Sequence, residues 1–185
     1  VSQTEGVHGG RRKDAVRNHE RVLAAARELF TEQGLGVTVP QVAERAGVGK
    51  ATVYRSYPAK QDLIVAVARE QFQQLAARTE AALQGEDAYA QLCLYVPDLF
   101  AALAADRVLG DALFDGRILP ATMILAQVGE LLERAAEDGP IRPGATEADV
   151  RVMLCGPVRQ LIVLGEQDPA VWQRYAEMVL NAFRV

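Results

Sequence analysis

Apolar residues recur at helical spacing along most of this 185-residue chain. That period decides what it can fold into. Val22, Ala25, Ala26, Leu29 and Phe30 stand at i, i+3, i+4, i+7 and i+8, which places them on one stripe of a helix. Gly34 and Gly36 end that helix. Thr38 then stands as an N-cap whose hydroxyl can accept a free backbone N–H, and Pro40 is tolerated because it lies in the first turn. Val42, Ala43 and Ala46 form a short second stripe. Gly47 stops it, and a third helix is expected from about Lys50 to Tyr57, with Pro58 as its limit. Two short helices joined by a tight glycine turn make a helix-turn-helix.

The remaining punctuation divides the chain further. A long helix is expected over about 60–83, with Ile64, Ala68, Phe72, Leu75 and Leu83 inward. Others follow over about 88–105, 106–115, 119–138, 146–164 and from Asp168 to the end. Pro97 predicts a kink in the first of these, and Gly156-Pro157 a break in the fourth, because proline cannot donate to the helical ladder. Thr146 with Asp149 resembles a capping box. The expected fold is all-α, with nine helices and no strand.

Half the residues are hydrophobic, enough for a packed core rather than a disordered chain. No apolar run approaches the roughly 20 residues that span a bilayer. The segment "VSQTEGVHGGRRKDAVR" lacks the apolar centre of a secretory signal. A cytoplasmic protein without membrane partners is therefore expected. Cys93 and Cys155 lie in apolar helical patterns and read as buried thiols. With His8 and His19 they show no metal-ligand spacing. No cofactor or metal is expected, and no convergent nucleophile, acid/base pair or carboxylate pair favours an enzyme.

Charge is divided along the chain. Residues 1–60 carry 10 Lys and Arg against 6 Asp and Glu, while the remainder carries 10 against 18. A basic first third on an acidic remainder points to a polyanion at one end. The stretch "GVGKATVYRSYPAK" has only Val48 and Val53 as strongly apolar residues. The rest of its helix offers a cation, two phenols, a methyl group and a guanidinium, groups that contact DNA phosphates and base edges. Lys60 opens the long helix, where the macrodipole disfavours a cation but free N–H groups favour a phosphate. Acidic residues in place of Lys50, Tyr54 and Lys60 would have favoured a binding module without a DNA role.

Residues 21–67, "RVLAAARELFTEQGLGVTVPQVAERAGVGKATVYRSYPAKQDLIVAV", resemble the N-terminal DNA-binding domain of the TetR family of transcriptional regulators. The features that match are the Ala-rich first helix ending "LF…GL", Thr38, "VAERAGV", "TVYRSYPAK" and Leu63. The resemblance implies a DNA-binding regulator, in its usual form a repressor. It implies a homodimer on a near-palindromic operator of double-stranded DNA, with half-sites about 34–36 Å or more apart. A small-molecule effector would release the DNA. Carried over by position, Thr38, Thr52, Tyr54, Tyr57 and Lys60 would hold phosphates. Lys50, Ala51 and Arg55 would lie nearest the bases, and Pro40 would touch DNA from the preceding helix. Gly49, Ser56 and Ala59 depart from the family pattern.

The organisation expected is a flexible basic arm over 1–17, a helix-turn-helix domain over 18–60, and a ligand-binding and dimerisation domain over 61–185. The arm's composition favours disorder, with a minor-groove contact as its alternative. The effector pocket that the resemblance implies is placed near the two proline breaks, with Tyr95, Leu99, Phe100, Met123, Gln127, Cys155 and Arg159 as candidate lining. The last two helices would form a four-helix interface with their symmetry mates, through Val152, Leu161, Leu164, Trp172, Tyr175, Val179 and Phe183.

Overall fold

A computed structural model describes residues 6–185, with the side chains of residues 6–13 and 138 outside the description. The chain divides into two compact units, Val1–Val67 and Ala68–Val185.

The first unit is built from α1 (Gly6–Gln33), a 3₁₀ turn at Gly34–Gly36, α2 (Val39–Ala46), α3 (Lys50–Ser56) and α4 (Lys60–Val67). The stripe Val22, Ala25, Ala26, Leu29, Phe30 is buried, together with Val39, Val42, Ala43, Val53, Leu63 and Ile64 from the other helices. Burial of a side chain the size of Phe30 or Leu63 contributes about 1.5–3 kcal/mol. Helix α1 starts well before that stripe. Residues 6–17, expected as an irregular arm, follow a helical path, although Asp14, Val16 and Arg17 are exposed. Once a helix is nucleated on a packed face, each further residue adds a hydrogen bond at little cost.

The cap of α2 closes at Thr38, as expected, in a capping box with Gln41. The Thr38 N–H donates to Oε1 of Gln41 at 2.8 Å, and the Thr38 hydroxyl donates to the same oxygen at 2.7 Å. At the other end Gly47 adopts φ 62° and ψ 39°. This left-handed conformation favours glycine, and it returns the Val48 N–H to the Ala43 carbonyl at 3.0 Å.

The second unit contains α5 (Arg69–Gln84), α6 (Ala88–Ala105), α7 (Arg107–Leu113), α8 (Leu119–Asp138), α9 (Glu147–Leu164) and α10 (Pro169–Phe183). The described residues thus form ten α-helices rather than nine. The additional helix arises because the expected long helix divides at Ala68, which takes φ −98° and ψ 16°. Beside it, the Val67 carbonyl accepts from the Arg27 guanidinium. Neither position carries a glycine or proline, so no local signal marked the division.

Helix α6 packs against α5, α8 and α10, and α8 also packs against α9. Helix α6 is apolar enough by composition to cross a membrane, with mean hydropathy 1.4 over 18 residues. In this fold it buries Leu92, Tyr95, Val96, Leu99, Phe100 and Leu103 among its neighbours. The Tyr95 hydroxyl and the Thr79 hydroxyl lie 2.7 Å apart, and Thr79 also donates to the Leu75 carbonyl. Burial pushes the Tyr95 phenol up to about 12, which keeps it a neutral hydrogen-bonding group.

Pro97 lies inside α6 and Pro157 inside α9, and both helices run through. The break expected at Gly156-Pro157 does not occur. Leu154, Val158 and Leu161 are buried on either side of it, so packing holds both halves where one ladder bond is missing. The loop expected over 138–144 is present and ties down the chain end. Ile141 and Arg184 form an isolated antiparallel bridge, and the Arg142 N–H donates to the Phe183 carbonyl at 2.8 Å.

Candidate nucleic-acid interface

Helix α3 buries one side chain, Val53. Lys50, Ala51, Tyr54, Arg55 and Ser56 are exposed around it, and Thr52 is half-buried. A helix this short gains too little from packing to be stable by itself. It is held by its ends: Gly49 at the N-cap accepts from Thr52 N–H at 2.9 Å, and Tyr57 seals the other end.

Tyr54 and Tyr57 have opposite fates. Tyr54 is 46% exposed and Tyr57 is 5% exposed. The Tyr57 hydroxyl lies 3.0 Å from Nδ1 of His19 on α1, and the two rings stack with centroids 5.7 Å apart. Tyr57 therefore belongs to the packing of the unit, and the phosphate contact assigned to it by position is withdrawn. The reason is azimuth: four residues after Val53, it returns to the same buried side of the helix.

Thr38 is exposed and Pro40 half-buried at the start of α2. Lys60 is anchored, because its ammonium donates to the Leu35 carbonyl. Ala59, a poor cap by sequence, is served by Asp62, whose carboxylate accepts the Ala59 N–H at 2.8 Å. Arg45 on α2 pairs with Glu28 and Glu32 of α1 at 3.3 and 3.4 Å. Its charge is thereby engaged on a side of α2 that carries none of the residues assigned to DNA.

A cleft of about 310 Å³ lies between α1 and α3, bordered by Asp14, Asn18, His19, Thr52, Arg55 and Ser56 among others. Asn18 and His19 were not among the sequence candidates. They precede the apolar stripe of α1, and only the crossing of α1 over α3 brings them beside the exposed helix.

The model of the family described as "Bacterial regulatory proteins, tetR family" matches residues 22–67. The transcriptional repressor KstR of Mycolicibacterium smegmatis is 30% identical over 129 residues, which cover 65% of this chain and 63% of KstR. A TetR transcription regulatory protein of Mycobacterium vanbaalenii is 32% identical in sequence over 94% of this chain and 99% of its own, at a TM-score of 0.46. Residues 22–67 belong to the TetR family. FadR of Bacillus subtilis, solved in complex with stearoyl-CoA, has a TM-score of 0.64 at 19% identity, over 90% of this chain and 100% of its own. That likeness is one of fold. The chain spans 29% to 63% of the length of the first curated relatives it matches.

The other assigned positions divide by burial. Among the effector candidates, Tyr95, Leu99 and Phe100 are buried in the core, Gln127 and Cys155 are half-buried, and Met123 and Arg159 are exposed. Burial raises the Cys155 thiol, the reverse of what an activated thiol needs. Arg159 contributes to the field at Asp111, whose carboxyl is nonetheless raised by burial. Among the interface candidates, Val152 and Leu164 are each 69% exposed, and Tyr175 is half-buried under Arg174. Leu161, Trp172, Val179 and Phe183 are core residues. The Trp172 indole N–H donates to the Glu166 carbonyl at 3.1 Å, and its ring meets Phe100 edge-on at 6.4 Å.

Proposed function

We propose that this chain is a sequence-specific DNA-binding transcriptional repressor that acts as a homodimer on a near-palindromic operator and is released by a small organic effector. The observation that carries the reading is α3, which buries Val53 alone while Lys50, Ala51, Tyr54 and Arg55 stand exposed. A structured helix that polar is explained by a partner for its surface. Arg55 and Lys50 suit guanine edges, and Ala51 suits a thymine methyl. Thr38, Thr52, Tyr54 and the anchored Lys60 suit phosphates. Membership of a family of regulatory proteins supports the same reading, and KstR is named as a repressor.

Dimerisation is supported by apolar side chains left exposed on the last two helices: Val152, Val163 and Leu164 on α9, and Met178 on α10. Effector control is supported by family membership.

A gel shift with DNA flanking the chain's own gene tests the proposal. Specific, salt-sensitive binding to a palindrome is expected, with affinity falling by about tenfold or more on raising salt from 50 to 200 mM. Failure to prefer any nearby palindrome over random DNA would refute it.

A further inference from the structure

The packed stripe of α1 changes character before Val22. Continued backwards at helical spacing, it passes through His19, Asn18, Ala15 and Asp14 instead of large apolar residues. Three of these four are polar, in line with a packed face, a choice that costs packing unless a partner uses it. They form one wall of the cleft of about 310 Å³ between α1 and α3, and Thr52, Arg55 and Ser56 stand on the other.

The α1 wall is held in place. The His19 ring stacks on Tyr57 with 20° between their planes, and this stack fixes the imidazole while leaving it exposed. Asn18 is half-buried beside it. On the other wall, Thr52 and Arg55 belong to two surfaces at once, because they border the cleft and also lie on the face of α3 assigned to DNA. A duplex resting on that face brings its backbone past the mouth of the cleft. The short side chain of Ser56 leaves the space open. An amide, an imidazole and hydroxyls are donors of the kind that hold phosphate oxygens. Asp14, one turn before Asn18, is the one acid among the described lining residues, and it is exposed to solvent screening.

We infer that the α1–α3 cleft seats one phosphate of the operator backbone, with Asn18 and His19 of α1 and Ser56 of α3 as its donors. The inference rests on the DNA-binding reading above and adds to it three contacts that the spacing of α3 does not supply. Helix α1 thereby fixes where along the duplex α3 is set. Such contacts carry no sequence information, so they raise affinity on every operator alike.

Fluorescence anisotropy of the full-length protein on a set of base-substituted operator duplexes tests this. Asn18→Asp is nearly isosteric and sets a like charge against the phosphate. It should weaken binding by about tenfold on every duplex, the loss expected of one charge-assisted hydrogen bond, and leave their ranking unchanged. His19→Arg keeps a group that stacks on Tyr57 and adds a cation at the seat. It should tighten binding and steepen the log–log salt dependence by about 0.9 per subunit. Ala24→Asp and Ala24→Arg place the same charges at an exposed position of α1 outside the cleft. They should change affinity by less than about twofold, since charges away from the contact are screened. Equal effects at Ala24 and at the cleft would reduce the result to diffuse attraction and overturn the inference. So would wild-type affinity in Asn18→Asp or His19→Arg, or a loss confined to one base position. A gain of affinity cannot come from unfolding, so His19→Arg decides the matter even if Asn18→Asp lowers the urea midpoint. Wild-type protein that prefers no operator counts against the repressor reading and this seat together. Unchanged variants of a protein that binds its operator count against the seat alone.

Discussion

At the scale of single residues, Tyr54 within α3 and Tyr57 at its C-cap show how three positions separate contact from packing. Tyr54 is exposed, and Tyr57 is buried against His19. Tyr54→Phe should weaken operator binding several-fold by removing a phosphate donor, while Tyr57→Phe should leave it within about twofold. Fluorescence anisotropy with one operator duplex compares them. Arg55→Ala should lower affinity and also flatten the ranking of base-substituted operators, by about 1–3 kcal/mol at one position. Gly47 is the residue whose replacement should cost most for its size. At φ 62° an alanine pays about 1–2 kcal/mol, and its Cβ would stand 2.6 Å from Nη2 of Arg21. Gly47→Ala should therefore lower the urea midpoint clearly. An unchanged midpoint would mean that the turn is not held as described.

At the scale of elements, end groups decide more than interiors. The α9 cap was legible in the sequence as Thr146 and Asp149, and it closes as a reciprocal box. The Thr146 N–H donates to the Asp149 carboxylate at 2.9 Å, and the Asp149 N–H donates to the Thr146 hydroxyl at 3.3 Å. These bonds, from the Thr146 hydroxyl first and its backbone second, hold the Asp149 carboxyl below the usual range. A depressed folded value means that the contribution is present above the unfolded carboxyl range near pH 3.9. It is lost as pH falls through the lower folded value. The stability difference between wild type and Asp149→Asn should therefore be largest near neutrality and shrink in acid, as measured by urea denaturation across pH. A difference that grows in acid would contradict this sign. The α4–α5 division at Ala68 was not legible, since Arg27 acts on the Val67 carbonyl from a sequence distance of forty residues. The proline signal was over-read at Gly156-Pro157: α9 continues through Pro157 because its buried face keeps packing beyond it.

At the scale of the whole molecule, the exposed apolar side chains of α9 and α10 remain to be covered. A homodimer formed there should be broken by a charge on that face. Val163→Glu should shift the protein toward monomer in sedimentation and reduce operator affinity by tenfold or more, with helical content unchanged, because Val163 is exposed. Trp172→Ala should instead cost about 3–5 kcal/mol of stability as a core truncation. An unchanged sedimentation coefficient for Val163→Glu would move the interface elsewhere.

The helical period, the Gly and Pro stops, the helix-turn-helix and the basic first third could all be read from the sequence alone. Each depends on spacing along one chain, and covalent geometry turns spacing into a face of a helix. Which face meets another helix depends on how distant segments pack. Tyr57, read on the exposed face of its helix, packed inward, and Trp172 entered the core while Val152 and Leu164 stayed outside it, although the sequence reading joins these last three in one interface.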